Sequence, residues 1–209
     1  MTRKKKLKVM VASSVYGFED TIEQLCAMLK TWGYHVLNSH ICTIPTDSDN
    51  PNIQDCLNAV QECDLFIGIV RTDMGTGNVD GKNITIEEIR KAIELNKKRW
   101  FVVDKTVVVA RQIINHLILT EDKGKDTKEQ RNVLDSKVVL LKKSPFLDPK
   151  SIEALNMILE GRENEEHETV GRWCQPYERP SEIFTYIETN LGNHKKMLNK
   201  IEEANANEQ

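Results

Sequence analysis

The sequence predicts an α/β protein in which helices cover both faces of a mostly parallel sheet, a doubly wound architecture. Three observations lead to this prediction. Short apolar runs rich in β-branched residues alternate along the chain with segments whose apolar residues recur at helical spacing. The run at residues 64–70 is continuous and apolar, as expected of a central parallel strand that is buried on both faces. With 209 residues, the chain is long enough for one sizeable domain of this kind.

The first part of the chain alternates between strands and helices. The strands are predicted at residues 7–13, 34–38, 64–70 and 100–103. The helices are predicted at residues 18–31, around residues 53–60 and at residues 84–97. This β-α-β-α-β-α-β order requires a parallel sheet joined by crossover connections. A flavodoxin-like sheet of about five strands is the natural interpretation.

The alternation is interrupted after the fourth strand, where we predict a helical insertion at about residues 105–160. It comprises helical patterns at 107–119 and 148–160, a charged loop at 121–132 and a segment at 138–141 that fits a strand or a helix. An acidic loop at 163–168, a fifth strand within 169–177 and a helix at 180–191 follow. We therefore predict a single domain over residues 1–194 and a polar tail over residues 195–209, either a solvated helix or frayed.

Composition and charge exclude several functional classes. The net charge is −3, and the basic residues 3–8 lead directly into a strand, so we expect neither a secretory signal nor a nucleic-acid partner. No run approaches the roughly 18 apolar residues of a membrane helix, so we expect a cytoplasmic protein with no membrane partner. The five cysteines are scattered and the histidines form no ligand motif. We therefore predict no disulfide framework, no metal and no cofactor.

The connection after the third strand, residues 71–88, carries the best candidate site. Ligands of an open parallel sheet bind outside the carboxyl ends of the strands, and this connection exceeds the usual two to six residues. Gly75 allows close approach of a ligand, and Asp73 and Asp80 place carboxylates at the rim. Glu88 is expected in the first turn of the next helix, where the helix dipole favours an ionised carboxylate.

Glu88 has two interpretations. An ionised carboxylate at a cleft edge can stabilise a sugar oxocarbenium ion or attack it as a nucleophile. Alternatively, Thr85-Ile-Glu-Glu88 fits a capping box, in which Thr85 caps the helix and Glu88 bonds back to the Thr85 amide. Both roles are compatible if the carboxylate faces the cleft, and Thr85 is then a further residue at the binding site.

The segment after the first strand supplies other candidate residues for substrate binding, Ser13, Ser14 and Tyr16. The serines either bind phosphate or ribose near a helix N-terminus or simply begin that helix. Arg71 either clamps a phosphate or is solvated. The glycines of residues 75–77 match neither a P-loop nor a dinucleotide-binding fingerprint.

Two strings of residues resemble a known family. Residues 9–20 (VMVASSVYGFED) and 81–92 (GKNITIEEIRKA), with the strand between them, are similar to the bacterial domain of unknown function 4062 family. The usual strings of that family are a first strand ending in Ser-Ser-Thr and a later Ser-x-Thr-x-x-Glu-Tyr-x-x-Ala. It is similar in turn to TIR domains and nucleoside 2-deoxyribosyltransferases. The resemblance is good over about residues 7–104 and loose over the rest of the chain, with Val15 and Ile89 in place of the usual threonine and tyrosine.

The resemblance implies a TIR-like enzyme that cleaves or transfers at the N-glycosidic bond of a nucleotide or nucleoside, with NAD as the first candidate substrate. Glu88 would stabilise or attack the ribosyl cation. Ser13, Ser14 and Arg71 would hold ribose or phosphate, with Asp73 or Asp80 as a partner carboxylate. The alternative is a non-catalytic module for nucleotide binding or self-assembling signalling, for example in bacterial defence. A homo-oligomer is compatible with either function.

Overall fold

The computed structural model describes residues 6–75, 78–79, 81–119, 144, 146–159 and 174–207. Its strands are β1 (Lys8–Ser13), β2 (His35–Leu37), β3 (Leu65–Val70), β4 (Asn78–Val79), β5 (Lys82–Asn83), β6 (Lys98–Asp104) and β7 (Cys174–Tyr177). Its helices are α1 (Glu19–Thr31), α2 (Asn52–Glu62), α3 (Ile84–Glu94), α4 (Lys105–Leu119), α5 (Pro149–Leu159), α6 (Pro180–Leu191) and α7 (His194–Asn207).

Five strands form one parallel sheet in the order β2-β1-β3-β6-β7, which confirms the predicted doubly wound, flavodoxin-like fold. β1 pairs with β2 on one side and with β3 on the other. The strand order therefore reverses between β1 and β3, and this reversal is the switch point at which such sheets bind ligands. β4 and β5 form a small antiparallel hairpin within the connection that was predicted as a loop.

The core consists of two layers, one on each face of the sheet. Helices α2, α3, α4 and α5 cover one face and pack around Phe66 and Phe101. Helices α1, α6 and α7 cover the other face and pack on Val11 and Ile67. Since neighbouring residues of a strand point to opposite faces, β3 is buried along its whole length and contributes to both layers.

Gly68 in β3 makes room for an aromatic pair in the first of these layers. A Cβ atom at Gly68 would lie 2.8 Å from Cδ1 of Phe101, which is closer than packed carbon atoms approach. The Phe101 ring instead meets the Phe66 ring edge to face, with 6.2 Å between the centroids. The packing of Phe66 and Phe101 on the central strand therefore requires a glycine, which has no side chain, at position 68.

The predicted end of the third helix was wrong. Helix α3 stops at Glu94 rather than at residue 97, because Asn96 adopts a left-handed backbone with φ of 47°. The Asn96 amide bonds to the Ile93 carbonyl and the Lys97 amide bonds to the Ala92 carbonyl. These two bonds form a Schellman motif, the common C-terminal stop of a helix.

The predicted polar tail forms helix α7 up to Asn207 and is not frayed there, but the helix is packed on the core rather than solvated all round. Met197 is buried, and Leu198 and Ile201 pack against the layer that α1 and α6 form. The helix is therefore attached through one apolar face to the core layer that contains α1 and α6. The predictions for residues 121–132, 138–141 and 163–168 lie outside the described residues.

Candidate functional site

The carboxyl ends of β1 and β3 lie side by side at the switch point. Ser13 is paired with Ile69 in the sheet, so Ser14 and Arg71 follow at the same edge. Ser13 and Ser14 are both buried, whereas Tyr16, two residues further on, is 82% exposed. The structure therefore brings together the sequence-predicted candidates that follow the first and third strands.

Arg71 holds the β1–α1 loop in place. Its Nη1 donates to the Ser14 carbonyl and to Ser14 Oγ, both at 3.2 Å, and to the Tyr16 carbonyl at 2.9 Å. The guanidinium carbon lies 4.5 Å from the centre of the Phe18 ring, a cation–π contact. These contacts orient the loop from within the protein, while the role of Arg71 as a phosphate clamp stays a prediction.

Ser14, Asp73 and Gly75 connect the loops that follow β1 and β3. Ser14 Oγ donates to the Asp73 carbonyl at 2.5 Å, and the Gly75 amide donates to Asp73 Oδ1 at 2.9 Å. Gly75 has φ of 74°, and a Cβ atom there would lie 3.4 Å from Ser14 Cβ. A glycine is favoured at this position because it adopts a positive φ without strain. Ser13 Oγ donates to the Ser14 carbonyl at 2.9 Å.

Asn83 begins the helix that carries Glu88. Its side-chain oxygen accepts from the Ile86 amide at 3.1 Å, and its Nδ2 donates to the Met74 carbonyl at 2.9 Å. The capping box predicted for Thr85 and Glu88 is therefore wrong, since the helix starts at Ile84 and Thr85 is already inside it. Asparagine is among the strongest N-cap residues, so the sequence did contain the signal.

Glu88 lies in the second turn of α3, not the first as predicted. It is five residues beyond the N-cap Asn83, which places it about 7.5 Å down the helix axis at 1.5 Å per residue. The residue is only 4% exposed, and helix α3 packs there against α2 and β1. The Glu88 side chain therefore sits below the rim of the site, inside the layer formed by α2 and α3.

The Glu88 carboxyl group is in contact with the thiol of Cys56 on α2. Burial raises the pKa of Glu88 to about 8, and the hydrogen bond with Cys56 opposes this shift. Burial and the neighbouring carboxyl group raise the pKa of Cys56 to about 12. The carboxyl group thus titrates near neutral pH, where a small change in its surroundings alters its charge.

Tyr177 lies at the end of β7 and belongs to the same edge of the sheet. Burial raises the pKa of its hydroxyl, and the negative charge of Asp104 adds to this effect. The positive charge of Arg71 acts in the opposite direction on the Tyr177 pKa. The field of Arg71 therefore extends from the end of β3 along the carboxyl edge of the sheet to Tyr177 at the end of β7.

The structure sorts the predicted site residues into two groups. One is a hydrogen-bonded cluster at the rim, formed by Ser13, Ser14, Tyr16, Arg71, Asp73 and Gly75. The other is the buried pair of helical residues Thr85 and Glu88. Asn83 connects them, because it binds the Met74 carbonyl of the loop and caps α3. Asp80 lies outside the described residues.

Sequence reasoning missed three contributors to this arrangement. Asn83 caps the helix, Phe18 stacks on Arg71, and Cys56 contacts Glu88. Cys56 gave no signal beyond its place on the apolar face of α2, because its contact with Glu88 arises only when α2 and α3 pack together.

Within the described ranges, no group of three or more His, Cys, Asp or Glu side chains is placed to hold a metal ion. In that same part of the chain, every helix is too short or too polar to cross a bilayer.

The fold and the site define an α/β protein with a polar cluster at the switch point of a parallel sheet. The chain belongs to the family described as Domain of unknown function (DUF4062), which matches residues 8–192. A search of curated proteins finds no match. A similar solved structure is the Clostridium botulinum CMP N-glycosidase BcmB, with 16% sequence identity and a TM-score of 0.43. The match covers 88% of this chain and 99% of that one.

Proposed function

We propose that this protein cleaves or transfers at the N-glycosidic bond of a nucleotide or nucleoside, with NAD as the first candidate substrate. Glu88 stabilises the developing ribosyl cation or forms a covalent adduct with it. The observation that carries this proposal is a buried carboxyl group, with a pKa of about 8, in the second turn of the helix whose N-cap Asn83 is bonded to the loop after β3. Strongly shifted carboxyl groups beside ligand sites are typical of catalytic groups.

The reaction breaks the bond between C1′ of the sugar and the ring nitrogen of the base. The bonding electron pair leaves with the base, and the sugar becomes an oxocarbenium ion. Water then adds its oxygen to C1′ and releases a proton, or a second nucleobase takes the place of water in a transfer reaction. In the covalent variant, a carboxylate oxygen of Glu88 bonds to C1′ first and is displaced in the second step.

The raised pKa suits a cationic substrate. At pH 7 a carboxyl group of pKa about 8 is only about one-tenth ionised. The nicotinamide ring of NAD carries a positive charge, and a positive charge nearby favours the ionised carboxylate. Binding of NAD therefore creates the charge that stabilises the ribosyl cation. Because the departing nicotinamide is neutral, this substrate needs no acid to protonate its leaving group.

The rim cluster supplies the groups that would hold the sugar and phosphate. Ser13 and Ser14 carry hydroxyl groups at the edge of the sheet, and Asp73 contributes a carboxylate in the adjoining loop. In this proposal Arg71 acts chiefly as a positioning residue, because Nη1 already bonds to Ser14 and Tyr16. Its remaining nitrogen atoms are the ones that would reach a phosphate.

A non-catalytic nucleotide-binding module is the second candidate function, and one observation favours it. The Glu88 side chain is only 4% exposed and lies inside the layer formed by α2 and α3, as expected of a structural acid. In this alternative the rim recognises a nucleotide without cleaving it, and Glu88 is a buried structural acid.

The test is the release of free base by the full-length chain. Purified protein is incubated with NAD, nicotinamide mononucleotide and a panel of nucleosides and nucleoside 5′-monophosphates, and the products are separated by chromatography. High protein concentrations are included to allow self-assembly. We expect base release by the wild-type chain and a loss of at least about 100-fold in Glu88→Gln, the scale of a missing catalytic group.

The matched control is Glu94→Gln, which makes the same chemical change at an exposed position in the last turn of α3. This variant should release base at the wild-type rate. Base release that survives Glu88→Gln would remove Glu88 from the mechanism. Nucleotide binding without any release would favour the non-catalytic module.

A further inference from the structure

Two aromatic side chains near the rim are far more exposed than aromatic residues normally are. Tyr16 and Phe146 each expose 82% of their surface, whereas the other large exposed hydrophobic residues of the described chain, Leu95, Val109 and Ile113, expose 39–53%. Burial of an aromatic side chain is favourable, so two rings left in water forgo stability that the fold could have gained. Neither ring is needed for the packing of the two core layers.

Tyr16 stands at the tip of a tight turn. The Phe18 amide bonds to the Val15 carbonyl at 2.8 Å, and Gly17 has φ of 71°, as required at the third position of a type II turn. The Tyr16 carbonyl is held by Arg71 at 2.9 Å. The backbone of Tyr16 is therefore fixed while its ring projects into solvent.

Phe146 is fixed in a similar way, although it comes from the predicted insertion. The Ser144 hydroxyl oxygen accepts from the amides of Phe146 and Leu147, at 3.3 and 3.1 Å, which shapes the turn. Leu147 packs against the core, and the Asp148 amide donates to the Thr72 carbonyl at 2.7 Å. The insertion is thereby attached to the chain immediately after β3.

The segments that carry Tyr16 and Phe146 are hydrogen-bonded to two consecutive residues, Arg71 and Thr72. Tyr16 is tied to Arg71, and Phe146 lies two residues before Asp148, which is tied to Thr72. Two residues span at most about 7 Å, so Phe146 stays close to the end of β3. Two chain segments that are remote in sequence thus present an aromatic ring at the same edge, next to the candidate site.

We propose that Tyr16 and Phe146 form the base-binding part of the site and stack on the nucleobase of the substrate. This inference rests on the proposed function, because the base is the leaving group of the N-glycosidic bond. Flat aromatic rings suit any nucleobase, since every base has a π face. The insertion before α5 thereby contributes to substrate recognition.

The experiment compares ligands with and without a base. Binding is measured by calorimetry in the Glu88→Gln background, which prevents turnover. The ligands are nicotinamide mononucleotide and the four common nucleoside 5′-monophosphates, with ribose 5-phosphate as the base-free control. Stacking on one base is typically worth 1–3 kcal/mol, so Tyr16→Ala and Phe146→Ala should each raise the Kd of the best nucleotide about 5- to 150-fold.

The controls separate stacking from structural damage. Tyr16→Phe and Phe146→Tyr keep a ring and should keep the affinity, and the Kd of ribose 5-phosphate should change less than about twofold in the alanine variants. Leu95→Ala removes an exposed apolar side chain at the C-cap of α3, the end of the helix away from the rim, and should leave every Kd unchanged.

The outcomes distinguish this inference from the proposed function. Nucleotide affinities that are unchanged in both alanine variants would overturn the stacking site, while base release that depends on Glu88 would still stand. An effect of Tyr16→Ala alone would overturn the contribution of the insertion. If the wild-type chain neither binds nor cleaves any nucleotide of the panel, the proposed function fails and this inference fails with it.

Discussion

Replacing Glu88 by glutamine should change how the free energy of unfolding depends on pH. Burial raises the pKa of Glu88 to about 8 in the folded chain, whereas a solvated glutamate has a pKa of 4.5. Between these two values the unfolded chain has released the proton and the folded chain retains it. The folded state then binds more protons, so stability decreases as the pH rises through this window.

The size of the effect follows from the two pKa values. Each pH unit inside the window changes the free energy of unfolding by about 1.4 kcal/mol. Between pH 5 and pH 7, Glu88 should therefore lower the stability of the wild-type chain by about 2–3 kcal/mol, and the loss levels off at about 5 kcal/mol above pH 8. Glutamine has no proton to release and removes this dependence.

Urea unfolding at pH 5, 6, 7 and 8 measures the effect. The difference in unfolding free energy between Glu88→Gln and the wild type should shift in favour of the variant as the pH rises. Any cost of burying the glutamine amide adds the same amount at each pH and does not alter the trend. Glu94→Gln, at an exposed position of the same helix, should follow the wild type at every pH.

Parallel pH profiles for the wild type and Glu88→Gln would refute the reasoning. They would mean that Glu88 ionises equally easily in the folded and unfolded chains. The carboxyl group would then be solvated, and the main observation behind the proposed catalytic role would be lost.

Three further predictions concern the same region and the core. Asn83→Ala should lower the free energy of unfolding by about 1–2 kcal/mol in urea titrations through loss of the N-cap. Asn83→Ser keeps a capping oxygen and should recover part of this loss, although the bond to the Met74 carbonyl is lost in both variants. Gly68→Ala should cost about 1–3 kcal/mol in the same measurement, because its methyl group collides with Phe101, and wild-type stability would contradict the packing described. If Glu88 acts as a carboxylate, kcat/KM for NAD should rise with pH and level off above about 8; a rate that is flat from pH 6 to pH 9 would contradict this.

The order of strands and helices was predictable because it rests on local patterns. The run predicted as a strand at residues 64–70 identified β3, observed at Leu65–Val70, and the helical spacing of Ile22, Leu25 and Leu29 identified α1. The boundaries that failed depend on backbone conformation at single residues. Asn96 ends α3 by adopting a left-handed conformation, and the hairpin of β4 and β5 rests on two-residue pairings too short to leave a pattern.

The candidate site was only partly predictable. The rule that ligands bind at the carboxyl ends of parallel strands selected Ser14 and Arg71 correctly as neighbours. It could not show that Arg71 Nη1 already donates to three acceptors in the protein. Nor could it show that one of these acceptors is the Tyr16 carbonyl. Side-chain partners come from segments that are remote in sequence, and a linear pattern carries no information about them.

The sequence alone determined the alternation of strands and helices, the parallel sheet and a glutamate near the start of the third helix, because each depends on residues close together in the chain. Only the tertiary structure decided the chemical state of that glutamate. Its pKa depends on how much water remains around the carboxyl group once α2 and α3 have packed, and on the Cys56 thiol that α2 contributes. Desolvation is a property of the assembled layer, since it sums over atoms that no local stretch of sequence specifies.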